Sequence, residues 1–131
     1  MSRRIFQSER NATLLIDVLC SYVANGKFKI HDFVVMPDHV HLLITVGESM
    51  SIEKAMQLIK GGFSFRLKKE TKYLGEVWQK GFSEVRVDND KSYAAIRDYI
   101  VKNPVKAELV ETPEQYPYCY TYLKKKRQYR G

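Results

Sequence analysis

Apolar side chains recur at the spacing of one helix face in the first quarter of the chain: Leu14, Leu15, Val18, Leu19, Tyr22 and Val23. Ser8 stands where an N-cap hydroxyl is needed and Asn25-Gly26 is a stop signal, so the pattern predicts a helix between them with one face on a sheet. The period then changes to two. FKIHDFVVM (28–36) reads as a strand, Pro37-Asp38 as a tight reversal and HVHLLITV (39–46) as the antiparallel partner. In this second strand Val40, Leu42, Ile44 and Val46 share one face, and His39, His41, Leu43 and Thr45 share the other. Apolar residues on both faces predict a central strand.

Helical spacing returns at Ser51, the expected cap of a second helix with Glu53 in its first turn. Ile52, Ala55, Met56, Ile59, Phe63 and Leu67 form its buried stripe, leaving Lys60, Arg66, Lys68 and Lys69 outside it. Gly61-Gly62 weakens this helix and is a candidate break. EVWQKGFSEVRV (76–87) is strand-like, with Gly81 as a bulge or turn and Trp78 as core. Asp88, Asn89 or Asp90 caps a third helix over 91–102, expected to end near Asn103 because Pro104 follows. Thr112-Pro113-Glu114-Gln115 has the form of a capping box with proline at the first helical position.

The 131 residues suit a single domain spanning 1–131, with a basic, mobile tail from about 123. No apolar run approaches the ~18 residues that span a bilayer, and MSRRIFQSER carries no hydrophobic signal segment, so the expected location is the cytoplasm and no membrane is involved. Cys20 and Cys119 are far apart with no CxxC partner, which fits reduced thiols; Cys20 falls in the apolar periodicity. The net charge of +7 is concentrated in KGGFSFRLKKETK (60–72) and LKKKRQYR (123–130), both interleaved with aromatic residues. Such clusters attract phosphate backbones while rings stack on unpaired bases, although a solvated face explains the charge equally well. Lys60, Arg66, Lys68 and Lys69 are the preferred phosphate contacts.

The chemistry concentrates in two places. His39 and His41 lie at i and i+2 on one strand face, a spacing at which two imidazoles can share a divalent ion if a third ligand comes from elsewhere. By itself such a pair is more often two surface or satisfied histidines. Tyr99 and Asn103, in RDYIVKNPVKAELV (97–110), are four apart and share a helix face; Asn103 can offer a carbonyl oxygen to the same ion and Tyr99 a phenol. A phenol is a weak nucleophile and needs a base or a polarised target. Without the histidines, a core-edge tyrosine and a helix-ending asparagine account for both residues. His31 reads as a non-ligand, and Asp38 either orients the histidine turn or simply completes a Pro-Asp turn.

FVVMPDHVHLLI followed by YIVKNPVKAELV resembles the IS200-like, single-tyrosine HUH transposases, specifically the REP-associated tyrosine transposase branch. IKGGFSFRLKKE and VWQKGF are similar to it in order and spacing, and the likeness covers about residues 3–120. The resemblance implies an α+β, ferredoxin-like antiparallel sheet with helices packed on one face. It implies that His39, His41 and, on the tyrosine helix, Asn103 hold Mg or Mn, and that Tyr99 is the nucleophile. The implied activity is metal-dependent cleavage and strand transfer of single-stranded DNA bearing a hairpin, through a 5′-phosphotyrosine link and a free 3′-OH.

Members of that family open with an extended segment ahead of the stretch resembling RRIFQSERN, where this chain has MSRRIF. The expectation is therefore a sheet lacking the family's first strand, the gap filled by strand exchange in a homodimer, by a rearranged local element, or by nothing. Two other functions compete with DNA strand transfer. One is a noncatalytic single-stranded DNA or hairpin-binding remnant that keeps the basic surface. The other is a metal-dependent hydrolase using water, disfavoured because no carboxylate stands at a base position near the histidines and Glu48 and Glu53 lie beyond the strand.

Overall fold

The structure, a computed structural model, describes residues 5–37, 39–72, 85–86 and 90–124. A short 3-10 turn (Ile5–Gln7) leads into helix α1 (Glu9–Ala24), whose cap is the predicted one: the Ser8 hydroxyl accepts the Asn11 N–H. Leu14, Leu15, Val18 and Leu19 are buried as the spacing requires, joined by Ala12 and Ile16. Val23, assigned to the same stripe, is instead exposed in the last turn of the helix.

Strands β1 (Lys29–Val35) and β2 (Val40–Thr45) form the predicted antiparallel hairpin, with Val34 opposite His41 and Asp32 opposite Leu43. The register slips at His31, a bulge that turns the start of β1 away from regular pairing. The Met36 N–H donates to the His39 carbonyl at 2.8 Å and closes the hairpin end. β2 is the central strand of the described sheet, whose order is β1-β2-β3 with β3 formed by Val85–Arg86. Helix α2 (Ile52–Thr71) connects β2 to β3, and α3 (Asp90–Lys106) follows. The α+β class holds. β3, however, runs parallel to β2, because α2 carries the chain back across the sheet before it pairs. Only 85–86 of the strand-like stretch 76–87 are described, so Trp78 and Gly81 lie outside the described residues, as does Asp38.

Alternation along β2 builds two apolar layers. Val40, Leu42 and Ile44 pack with α1 and α2 through Leu15, Leu19, Ala55, Ile59, Phe63 and Leu67. On the other face, Leu43 joins Val34 and Met36 with Ile100 of α3 and with Tyr116 and Cys119. The helices therefore flank both faces: α1 and α2 cover one, and α3 covers the side that carries His41. The free side of β1 is taken by the segment after the 3-10 turn Pro113–Gln115. There the Val35 N–H donates to the Tyr118 carbonyl at 2.8 Å, and the Tyr116 hydroxyl donates to the Val35 carbonyl at 2.6 Å. Burial pushes the Tyr116 phenol up to about 12, so it remains a donor throughout the neutral range. The expected capping arrangement is present, with Gln115 Oε1 accepting from the Glu111 and Thr112 N–H groups.

α2 runs unbroken through Gly61-Gly62. Gly62 is there because α1 comes close: a Cβ at that position would lie 2.5 Å from the Tyr22 hydroxyl oxygen, which donates its proton to the Leu58 carbonyl at 2.9 Å. Gly62→Ala is therefore expected to lower stability by about 1–3 kcal/mol despite its better helix propensity, since the clash outweighs the gain. Urea unfolding measures this, and Tyr22→Phe in the same chain should recover part of the loss. Equal or higher stability for the single variant would show that the two helices do not meet so closely.

Candidate functional site

The site is assembled where the end of the hairpin meets α3. His39 precedes β2 and His41 lies in it, so strand alternation presents both rings on the α3 side. Their centroids are 4.8 Å apart and the planes nearly perpendicular at 89°. Tyr99, on α3, meets His41 edge-on with centroids 5.3 Å apart. His41 is only 8% exposed and Tyr99 is 50% exposed, so the three rings run from the packed sheet to the surface.

α3 continues through Pro104 to Lys106, past the end predicted near Asn103. Proline removes one intrahelical donor and crowds the preceding turn but does not stop the helix, because Ile100 packs in the sheet's apolar layer and Pro104 is itself buried. The helix instead ends beyond Lys106, where Glu108 takes a left-handed conformation and the Leu109 N–H reaches the Pro104 carbonyl. Asn103 is thus inside the helix, half-buried, one turn from Tyr99 on the same face. The longer helix also brings Lys106 two turns from Tyr99, with its ammonium 5.9 Å from the phenol ring centroid. Ending the helix at the proline hides this lysine from a sequence reading.

A second feature fixes the roll of α3. Asp32, 1% exposed on the α3 face of β1, accepts the Phe33 N–H at 2.9 Å and the Arg97 Nε–H at 3.4 Å. Arg97 and Tyr99 leave the helix on opposite sides of the buried Ile100, so the ion pair and the ring contact hold α3 from two directions. A carboxylate in the apolar run DFVVM was the available signal. Burial raises the Asp32 pKa, while the Phe33 N–H and Arg97 pull the other way. A raised carboxyl pKa means that the protonated form stabilises the fold. That contribution is complete below the ordinary value of 3.8 and is lost as pH rises through the elevated value. Compared with Asp32→Asn, the natural chain should therefore lose stability with rising pH across that window, a trend that urea midpoints taken at several pH values will read. A constant difference would remove the burial argument.

The remaining predicted residues fall elsewhere. Lys60, Arg66, Lys68 and Lys69 lie on α2, across the sheet from the three rings, and Arg66 pairs with Glu70 at 2.8 Å. His31 shares a hydrogen bond with Thr45 at the opposite end of the hairpin from His39. Cys20 and Cys119 are not joined in a disulfide, and burial raises the Cys119 pKa. Among the described residues no three His, Cys, Asp or Glu side chains gather as a metal cage. Of the residues expected to hold a divalent ion, the two imidazoles stand together and Asn103 lies half-buried on α3, one turn from Tyr99. No helix among the described residues is long and apolar enough to cross a membrane.

Residues 1–103 match the family described as IS200-like transposases. Among curated proteins, the chain is 32% identical over 92 residues to the REP-associated tyrosine transposase of Escherichia coli strain K12, covering 70% of this chain and 53% of that protein. It is also 32% identical over 94 residues to a Haemophilus influenzae protein named "Putative REP-associated tyrosine transposase", covering 64% of this chain and 53% of the other. The chain spans about half the length of the curated relatives it matches. No solved structure matches it.

Proposed function

The chain belongs to the IS200-like transposase family, and from that premise we propose that it cleaves and rejoins single-stranded DNA with Tyr99 as the nucleophile. The observation that carries this reading is the run of His39, His41 and Tyr99, in which a half-exposed phenol ring abuts a histidine pair. The Tyr99 oxygen attacks the phosphorus of a phosphodiester. The Tyr99–phosphorus bond forms as the bond from phosphorus to the 3′ oxygen breaks, the phenol proton passes to solvent, and the departing oxygen takes up a proton as a free 3′-OH. Reversal by an incoming 3′-OH rejoins strands, with no net change in the number of phosphodiester bonds.

His39, His41 and Asn103 would hold a Mg or Mn ion, whose chemistry when bound is Lewis-acid polarisation of the scissile phosphate. The protein's own part is positional. β2 fixes the imidazoles, Ile100 and the Asp32–Arg97 pair hold α3, and the Lys106 ammonium beside the Tyr99 ring draws the DNA backbone towards the phenol. The substrate class is hairpin-bearing single-stranded DNA, and the chain acts as one domain with a basic tail from about 123. A homodimer formed by strand exchange beside the histidine strand belongs to the same reading.

The test is incubation with a hairpin oligonucleotide labelled at either end, with Mn or Mg, followed by denaturing electrophoresis. The expected product is a protein adduct carrying the 3′ label and a released fragment carrying the 5′ label. Binding without an adduct under both ions would leave a noncatalytic DNA-binding domain.

A further inference from the structure

Phe65 is 66% exposed, the most exposed large apolar side chain of the described residues. Its position is not a slip of the α2 stripe, because Phe63 and Leu67 on either side are fully buried and Phe65 points out between them. The Lys69 ammonium sits 5.8 Å from the Phe65 ring centroid, Lys68 and Lys72 are exposed in the same last turn, and the Arg10 guanidinium of α1 reaches the Glu70 carbonyl at 2.9 Å. An outward ring flanked by cations suits a ligand that is flat, aromatic and anionic along its backbone.

The patch is also tied to the histidine end of the molecule. Phe63 packs on Phe6 with ring centroids 5.3 Å apart, and the Phe6 N–H donates to the Pro37 carbonyl at 2.8 Å, immediately before His39. The C-terminal half of α2 therefore stands at the end of the sheet where the three rings lie, although on the other layer.

We propose that Phe65 is a stacking platform for an unpaired base of single-stranded DNA, with Lys68, Lys69 and Lys72 contacting the flanking phosphates. This rests on the single-stranded DNA reading above and adds to it a second surface on the α2 layer, separate from Tyr99. The platform supplies affinity and holds the strand, and takes no part in the chemical step.

The test compares the full chain with Phe65→Ala and Phe65→Trp, using an unpaired 2-aminopurine oligonucleotide and a hairpin bearing it. Both variants should keep the natural unfolding midpoint, since the side chain buries little. Phe65→Ala should weaken binding by about tenfold or more, in line with the loss of one stacked base. Phe65→Trp should restore it, with indole fluorescence quenched on addition of DNA. Unchanged affinity in Phe65→Ala would overturn the proposal, whether or not an adduct forms. So would unchanged affinity with loss of a dimer in sedimentation, which would assign the ring to contact between copies. Absence of an adduct from the natural chain, with the affinity loss still seen, would defeat the cleavage reading and leave this platform standing.

Discussion

Replacing Tyr99 by phenylalanine should abolish the covalent protein–DNA adduct, a loss of roughly 10³-fold or more in its rate of formation, while hairpin affinity stays nearly unchanged. The substitution keeps the ring that packs edge-on against His41 and removes only the hydroxyl from a half-exposed side chain. Ile100, the Arg97–Asp32 pair and the retained ring contact continue to hold α3. The variant thus separates the nucleophilic role proposed for the hydroxyl from the scaffold. A gel under denaturing conditions reads the adduct, and polarisation of a labelled hairpin reads binding. An adduct of natural yield in Tyr99→Phe would take the nucleophile's role away from this residue.

The second large effect is expected at His41. Truncation to alanine would confuse two losses, because the imidazole is buried and supports both the His39 ring and the Tyr99 ring. His41→Phe keeps an aromatic ring, larger than the imidazole, and deletes the ring nitrogens, so stability should fall by about 1–3 kcal/mol, a loss that urea unfolding reads separately from the adduct. Adduct formation with Mn or Mg should nevertheless fall by roughly 100-fold or more, since losing a ligand costs at least what losing its outer partners costs. His39→Ala, at a less buried position, should give a similar loss that high Mn concentrations partly recover. Natural adduct rates in His41→Phe would mean that the histidine serves packing only.

The fold was legible wherever one periodicity met a clear terminator. Ser8, Asn25-Gly26 and Ser51 mark helix ends, and the alternation of HVHLLITV places the histidines on one face and Val40, Leu42 and Ile44 on the other. Proline misled the reading at Pro104. The rule that a helix ends before it weighs only local hydrogen bonding, whereas burial of Ile100 and Pro104 keeps α3 on the sheet for another turn. That error hid Lys106 and made Asn103 a terminus rather than an interior residue. Asp32 was visible as a charge in an apolar strand, but its partner Arg97 lies 65 residues away, and only tertiary packing brings them together. Gly62 was read as a weakness because propensity takes no account of Tyr22 crossing above it. The juxtaposition of Tyr99 with His41 was proposed from residue chemistry and resemblance, since nothing local relates residues on separate elements.

Nine tyrosines are present in the chain, so the appearance of an adduct does not by itself identify the attacking residue. Trypsin cuts after Arg97 and Lys102 and releases Asp98–Lys102, in which Tyr99 is the sole hydroxyl-bearing side chain. Mass spectrometry of the trypsin- and nuclease-digested adduct should find this peptide carrying a 5′-linked nucleotide phosphate. Finding the nucleotide on a peptide containing Tyr116, Tyr118, Tyr120 or Tyr122 would contradict the account.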